Sequence, residues 1–558
     1  MKNTPYHLLA TLFIFLTPSF FFAQTPTWQW AKSAGQTGAE AGASTAIDGN
    51  GDVYATGSFT SVTLTFGTNS LVNTSASTAD IFIVKYDATG NVLWAKNFGG
   101  IDGDLGNSVT VDANNNVYLT GWFTSASITF GSTTLNNSGT SSSDIFVVKF
   151  DPLGNVVWAK SAGGTSTDRG YDVTTDVAGN VFVTGWFSSP TIDFGTGILT
   201  NAGSGTNDFF IVKYDGIGNT VWSKKAGGSN SDAGYSAATD ATGYIYVTGI
   251  FASSTIDFGT GALTNSSAAT NDFFIVKYDV AGNSVWSNAA GGSFDDNGNS
   301  IAITGNNIFV TGAFSSSSIT FASTTLTNAG AGTSDVFVVK YDASGNATWA
   351  KSAGGSDADA GNSVSSDITG NVYVTGWFSS TSIVFGTTTV TNTAVGYKDI
   401  FVTKYDVASN SIWALGVGNS AEETGNGISS DATGANIYIT GMFNSATVLF
   451  GTYTIFKGCG DDVFVAKLGS TVGLSENNTT DILNVYPNPV NGILTVYITP
   501  NSPEQVEIIF FNALGQEAGK WNLLSGENKI DLSKQSTGVY FYQIRNGDKS
   551  LSGKLIVQ

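Results

Sequence analysis

A spacing of 64 residues governs this chain. Tryptophan recurs at Trp30, Trp94, Trp158, Trp222, Trp286, Trp349 and Trp413, with steps of 64 residues except for one of 63. Two further columns keep the same step. One is an Asp that opens an apolar run, at Asp80, Asp144, Asp208, Asp272, Asp335, Asp399 and Asp462. The other is the Gly of T-G-x-F, at Gly57, Gly121, Gly185, Gly249, Gly312, Gly376 and Gly441. Seven such units cover residues 25–469. A unit that cannot bury its apolar face alone must stack on its neighbours, so a period of this length points to a solenoid, a propeller or an array.

The second unit shows which. Residues 107–112 (NSVTVD) alternate and carry small side chains. Three apolar, β-branched and aromatic runs follow: 116–123 (NVYLTGWF), 144–150 (DIFVVKF) and 156–162 (VVWAKSA). Turn residues D-A-N-N-N and D-P-L-G-N separate them, and no apolar stripe of period 3.6 occurs. Four strands per unit, seven times over, predict an all-β, seven-bladed β-propeller. The small-residue strand belongs innermost, where strands crowd the axis. The seventh unit ends after its third strand. The segment 28–34 should therefore close the ring as its fourth, with Trp30 beside residues 463–468.

The pattern W-A-K-S-A-G-G, G-N-V-Y-V-T-G-x-F, D-x-F-V-V-K-Y-D-x-x-G-N resembles the SBBP β-propeller repeat. The chain departs from that family at K-S-A-G-G (Lys160–Gly164), where T-Y-L-G-G is common, and in its longer connection between second and third strands. The resemblance implies the fold and carries no activity.

Both ends read as export signals. Residues 1–23 have the form of a secretory signal peptide: Lys2, an apolar run from Leu8 to Phe22 broken by Pro18, then Ala23. No other run is long and apolar enough to span a bilayer. After a polar linker at 470–480, the composition shifts. Residues 481–558 contain short alternating runs expected to form a small Ig-like β-sandwich. Within them, Tyr486-Pro487-Asn488-Pro489, Leu514-Gly515, Gly538-Val539-Tyr540 and the terminal Lys554–Val557 resemble the C-terminal sorting domain of the type IX (Por) secretion system. The resemblance implies a partner, the type IX machinery. It further implies removal of the tail near the linker, then release or attachment outside the outer membrane of a Gram-negative bacterium.

Composition excludes several chemistries. The only His is His7, inside the leader, so the remaining chain has no imidazole for a triad, a His-ligated zinc or a pH switch. A single cysteine, Cys459, rules out an intrachain disulfide and is expected to be a buried, inert thiol. A net charge of −20 disfavours nucleic acid and anionic membranes as partners.

The candidate binding residues lie where fourth strands run into the next first strand. These connections carry Asp102, Asp104, Asp168, Arg169, Asp232, Asp295, Asp296, Asp357, Asp359, Glu422 and Glu423. They leave the ring on the same face as the long connections between second and third strands, which are expected to form extra hairpins. Two readings stand for the acids. They could hold a ligand or Ca²⁺, or they could form a solvated rim or accept backbone N–H bonds in turns. No loop has a complete Ca²⁺ ligand set, which favours the second. Asp48-x-Asn50-x-Asp52 and Asp112-x-Asn114-x-Asn116 mimic the start of a calcium loop but occupy ordinary D-x-x-G-N turn positions. Trp122, Trp186 and Trp377 occur in three units only, either as sugar-stacking platforms or as filler between blades. The repeated Asp80-type acid and the repeated Lys (Lys85, Lys149, Lys213, Lys277, Lys340, Lys404, Lys467) are needed seven times, which argues for structure rather than catalysis. The reading that follows is a secreted, non-catalytic binding or adhesion protein for polysaccharide or protein. The alternatives are a carbohydrate-active hydrolase or lyase using loop carboxylates, and a purely structural surface component.

Overall fold

The computed structural model describes residues 25–469, except 204, 268 and 331, and in the tail residues 483–486, 489–498, 506–512, 516–546 and 549–558. The leader at 1–23 and the linker at 470–480 lie outside the described residues. The chain forms two compact units, residues 1–469 and 470–558.

All regular structure among the described residues is β. The first unit holds seven four-stranded antiparallel sheets. In the second repeat the strands are Asp104–Val111, Val117–Phe123, Asp144–Phe150 and Val156–Ala162, paired in that order. The second and third strands read as continuous apolar runs because neighbouring sheets cover both their faces. Asp80–Tyr86 and Asp208–Tyr214 are buried at every residue. The first strands of successive sheets pack on one another from Glu40–Ile47 round to Glu423–Ser430, and the last packs on the first. The small-residue strand is thus the inner one, and the sheets are arranged as a β-propeller.

The closing sheet is built from both ends of the repeat array. Thr27–Ala34 pairs antiparallel with Asp462–Gly469, placing Trp30 opposite Lys467 and Ala34 opposite Val463. Trp30 is 5% exposed and packs between Tyr86 and Tyr438.

At five junctions the repeated Trp and Lys staple one sheet to the next. Trp158 Nε1 and Lys149 Nζ both donate to the Gly216 carbonyl, at 3.3 and 3.0 Å. Trp222 and Lys213 donate to Val280, Trp286 and Lys277 to Ala343, and Trp349 and Lys340 to Val407. At the closure, Trp30 and Lys467 donate to Ala88. Two junctions show no such pair of bonds among the described residues, that of Trp413 and Lys404 and that of Trp94 and Lys85. Trp94 Nε1 is buried without a partner, and Lys85 turns to Asp48 and Asp52, 3.0 Å from each.

The long connections do form hairpins, such as Ser127–Phe130 with Thr133–Asn136. They do not stand as variable loops over the ring. Each packs against the outermost strand of its own sheet, and Ile128, Phe130 and Leu135 join the core beside it.

One irregularity positions the site. Every inner strand carries a β-bulge at the same place, between Gly106 and Ser108 in the second repeat and between Gly170 and Asp172 in the third. The T-G-x-F glycine faces it. A Cβ at Gly121 would lie 1.9 Å from the Leu105 carbonyl oxygen, so no larger residue fits there. The extra residue of a bulge leaves the ladder and redirects its side chain. Here that residue is Ala43, Asn107, Tyr171, Tyr235, Asn299, Asn362 or Asn426, one per sheet.

The tail unit has a three-stranded sheet (Leu483–Tyr486, Ile493–Ile498, Gly526–Asp531) and a four-stranded sheet (Glu517–Leu523, Val506–Phe511, Gly538–Asn546, Lys549–Val557). Both contribute to one core that includes Leu494, Val496, Ile508, Phe510 and Leu555. Of the expected sorting residues, Pro487, Asn488 and Gly515 lie outside the described residues. Pro489 is exposed and precedes the fully buried Val490, Gly538 opens its strand, and Tyr540 is buried with its hydroxyl donating to Ser536 O at 3.0 Å.

Candidate binding site at the ring axis

The bulged residues meet around the axis. Four asparagines each donate Nδ2 to a glycine carbonyl of the next sheet: Asn107 to Gly170, Asn299 to Gly361, Asn362 to Gly425 and Asn426 to Gly42, at 2.8 to 3.0 Å. Two tyrosines interrupt this circle. Tyr171 and Tyr235 sit edge to face with ring centroids 5.3 Å apart. Tyr171, Tyr235, Asn299, Asn362 and Asn426 line a cavity of about 330 Å³. Amide groups beside aromatic rings suit a ligand that presents both C–H faces and hydroxyls, as a sugar does.

The next position along the inner strands is Ser44, Ser108, Asp172, Ser236, Ser300, Ser363 or Gly427, so one sheet places an acid among five serines and a glycine. Asp172 accepts bonds from Ser108 Oγ (2.5 Å) and Ser236 Oγ (2.9 Å) in the sheets on either side, and from Ala237 N and Val173 N. It keeps partial exposure by area, yet protein atoms crowd its carboxyl on all sides. Desolvation raises its pKa, opposed by those four hydrogen bonds.

The loop acids divide into two groups. Asp104, Asp168, Asp232, Asp296, Asp359 and Glu423, together with Glu40, have no exposed surface. Asp168 is representative. It accepts from Gly164 N (2.9 Å), Ser189 N (3.1 Å) and Ser189 Oγ (2.7 Å), which ties the start of the inner strand to the end of the second. Burial pushes the carboxyls of Asp168, Asp232, Asp296 and Asp359 up to about 6, the neighbouring third-strand Asp adding a smaller push. Those neighbours are the repeated Asp80-type acids. Asp144 accepts from Ser138 N with one oxygen, and its other oxygen packs against Gly163 with no hydrogen-bond partner.

The second group reaches solvent. Asp102, Asp295 and Asp357 are exposed and Glu422 is half-buried. Among the described residues, no three acidic, His or Cys side chains converge as a metal cluster. The calcium-like turns are filled by protein donors. Asp48 takes bonds from Asn50 N, Asp52 N, Tyr54 Oη and Lys85 Nζ, and the Lys85 ammonium stands where a cation would. Asp112 takes bonds from Asn114 N, Asn116 N, Asn116 Nδ2 and Tyr118 Oη. These donor sets do not fit Ca²⁺, which needs six to eight free oxygens.

Three sequence candidates do come together. The Arg169 guanidinium lies 4.4 Å from the Trp122 ring centroid and 5.5 Å from that of Trp186. Trp186 clusters with Ala233 and Ile250, against which Tyr171 and Tyr235 pack, so this group continues into the cavity wall. Trp377 stands in another sheet, with Lys398 Nζ 4.5 Å from its centroid. Cys459, expected to be buried, is exposed.

Sequence reasoning passed over the bulged column and Asp172. Its signal was present as a column, directly after the inner-strand Gly, that reads Ala, Asn, Tyr, Tyr, Asn, Asn, Asn instead of repeating.

Residues 484–558 match the secretion system C-terminal sorting domain family. This tail marks the protein as one secreted to the cell surface through the type IX system. Elsewhere the chain is similar to an uncharacterized WD repeat-containing protein of Acanthamoeba polyphaga mimivirus, 24% identical over 446 residues, covering 68% of this chain and 32% of that one. It is also similar to regulatory protein FlaEY of Caulobacter vibrioides, 29% identical over 108 residues, covering 19% of this chain and 11% of that one. The chain thus spans a third or less of either relative. Among solved structures, Sqt1 of Chaetomium thermophilum overlaps 80% of this chain and 99% of its own at 10% identity and TM-score 0.39. PorZ, a type-IX surface component of Porphyromonas gingivalis, overlaps 92% of this chain and 75% of its own at 11% identity and TM-score 0.20. Overlaps this loose transfer no role.

Proposed function

We propose that this protein is a secreted, non-catalytic polysaccharide-binding or adhesion protein. Its seven sheets are the blades of a closed propeller of the SBBP type, and its ligand docks at the axis. The tail, an Ig-like sandwich, delivers it to the exterior of the outer membrane and is removed in the 470–480 linker. The observation that carries this reading is the cavity of about 330 Å³ walled by Tyr171, Tyr235 and three asparagines. At this position the ring departs from its own repeat. Binding is preferred to hydrolysis because a glycosidase needs two acids that converge on its substrate, whereas the buried loop carboxylates already accept from backbone and serine donors and the exposed Asp102, Asp295 and Asp357 come from three separate connections. The test is retardation of the full chain in gels containing single polysaccharides, neutral and acidic. Saturable retardation on one polymer class supports the reading. Uniform mobility on every polymer would remove the polysaccharide and leave adhesion to protein or a structural role.

A further inference from the structure

Two departures from the repeat that carry positive charge fall on the three departures that carry tryptophan, whereas Lys225 pairs with Asp208 and Lys457 donates to Asn444. Arg169 occupies a column that is otherwise Ala41, Leu105, Ala233, Asn297, Ala360 and Thr424. Lys398 occupies one that is otherwise Ala79, Ser143, Asn207, Asn271, Ser334 and Asp461. Arg169 is held between Trp122 and Trp186, and Lys398 lies over Trp377.

Arg169 also lacks what an arginine in an acidic protein normally has. The chain carries 43 acidic residues, yet no carboxylate lies within ion-pair distance of Arg169 among the described residues. Its adjacent acid, Asp168, is buried and engaged with Gly164 and Ser189. Arg169 Nε is buried with no hydrogen-bond partner. The side chain as a whole is only partly buried. A guanidinium presents five donors in a planar fork that matches a carboxylate, and stacking on aromatic rings fixes that plane in advance. The two tryptophans therefore hold an unpaired, pre-oriented anion receptor beside the wall of the axis cavity.

We infer that the ligand is an acidic polysaccharide, whose carboxylate is received by Arg169 and, less strongly, by Lys398, while its sugar rings occupy the Tyr171 and Tyr235 cavity. This rests on the proposed docking of a glycan at the axis. It adds the class of glycan, a uronic-acid polymer, and assigns the role of charge reader to two residues. The chemistry favours a glycan over an acidic peptide because tryptophan rings adjoin both cations and tyrosines and asparagines line the cavity.

The test uses affinity electrophoresis of the full chain in polygalacturonate, in its methyl ester and in poly-L-glutamate. The ester keeps the sugar backbone and removes the charge. The expected result is retardation by the acid at least tenfold stronger than by the ester, weakened by salt, and weak retardation by polyglutamate. Arg169→Gln should lose about tenfold and Lys398→Gln about threefold, with unchanged thermal midpoints. Equal retardation by acid and ester, or full retention in Arg169→Gln, would overturn the charge reading while leaving glycan docking intact. Retardation by polyglutamate alone would move the site to acidic protein and overturn the glycan assignment. No retardation by any of the three would overturn the uronic-acid assignment, and glycan docking falls with it only if the wider polysaccharide panel is also negative. The acid-against-ester contrast on the unaltered chain decides the question even if Arg169→Gln does not fold.

Discussion

Trp30 offers the sharpest test of how the ring is closed. It comes from the first strand of the repeat array but completes the last sheet, 5% exposed between Tyr86 and Tyr438, with Nε1 donating to Ala88 at 3.2 Å. Truncating a buried aromatic costs ~3–5 kcal/mol. Trp30→Ala should fall in that range and lower the guanidinium midpoint of the propeller transition accordingly. Trp30→Phe keeps most of the packing and deletes one hydrogen bond, so it should cost ~1 kcal/mol. Trp94 supplies the control, since its Nε1 has no partner. Trp94→Phe should therefore cost less than either Trp30→Phe or Trp158→Phe. Val157, 55% exposed, gives the baseline for a harmless truncation. If Trp30→Ala shifts the midpoint no more than Val157→Ala does, the first strand does not close the ring. If Trp94→Phe costs as much as Trp158→Phe, the stapling argument is wrong.

Three further outcomes follow from the geometry. Stability should fall as pH rises from about 4 to 6.5. Asp168, Asp232, Asp296 and Asp359 have folded pKa values of about 6 against 3.8, so their contribution is whole below 3.8 and lost as pH passes 6. Each shift corresponds to ~3 kcal/mol at most, and a melting temperature that rises from pH 4.5 to 7.5 would contradict it. The exposed turn acids act oppositely at the acid end: hydrogen bonds from Asn91 and Thr89 outweigh slight burial to hold Asp87 at about 2, so stability should decline again below pH 3.8. Gly121→Ala should destabilise by ~3 kcal/mol or more, because its methyl would meet the Leu105 carbonyl 1.9 Å away; near-normal melting would show that the bulge relaxes easily.

Much of the fold could be read from one column of tryptophans. The period gave the number of units. The apolar second and third strands gave the sheets, because both of their faces are covered and alternation disappears. The incomplete seventh unit foretold its pairing with Thr27–Ala34, which the register of Trp30 and Lys467 shows. The site was less legible. For Asp104 and Asp168 the sequence left a solvated rim and acceptors of backbone N–H bonds both open, because a charged residue in a loop usually meets water. Their burial depends on serines 21 residues downstream, Ser125 and Ser189, folding back over them. The stacking of Arg169 on Trp122 joins two repeats and is invisible until neighbouring sheets are packed. The bulged Tyr171 and Tyr235 could not be aimed at the axis without knowing the register that extrudes them.

The central claim, that a glycan docks at the axis through these two rings, is tested most directly by one comparison. Retardation of the full chain would be measured on the polysaccharide it binds best, against that of the Tyr171→Ala/Tyr235→Ala double variant. The account predicts at least a tenfold loss of affinity with the β-sheet spectrum and thermal midpoint preserved. Undiminished retardation by a folded double variant would place the ligand elsewhere and contradict it.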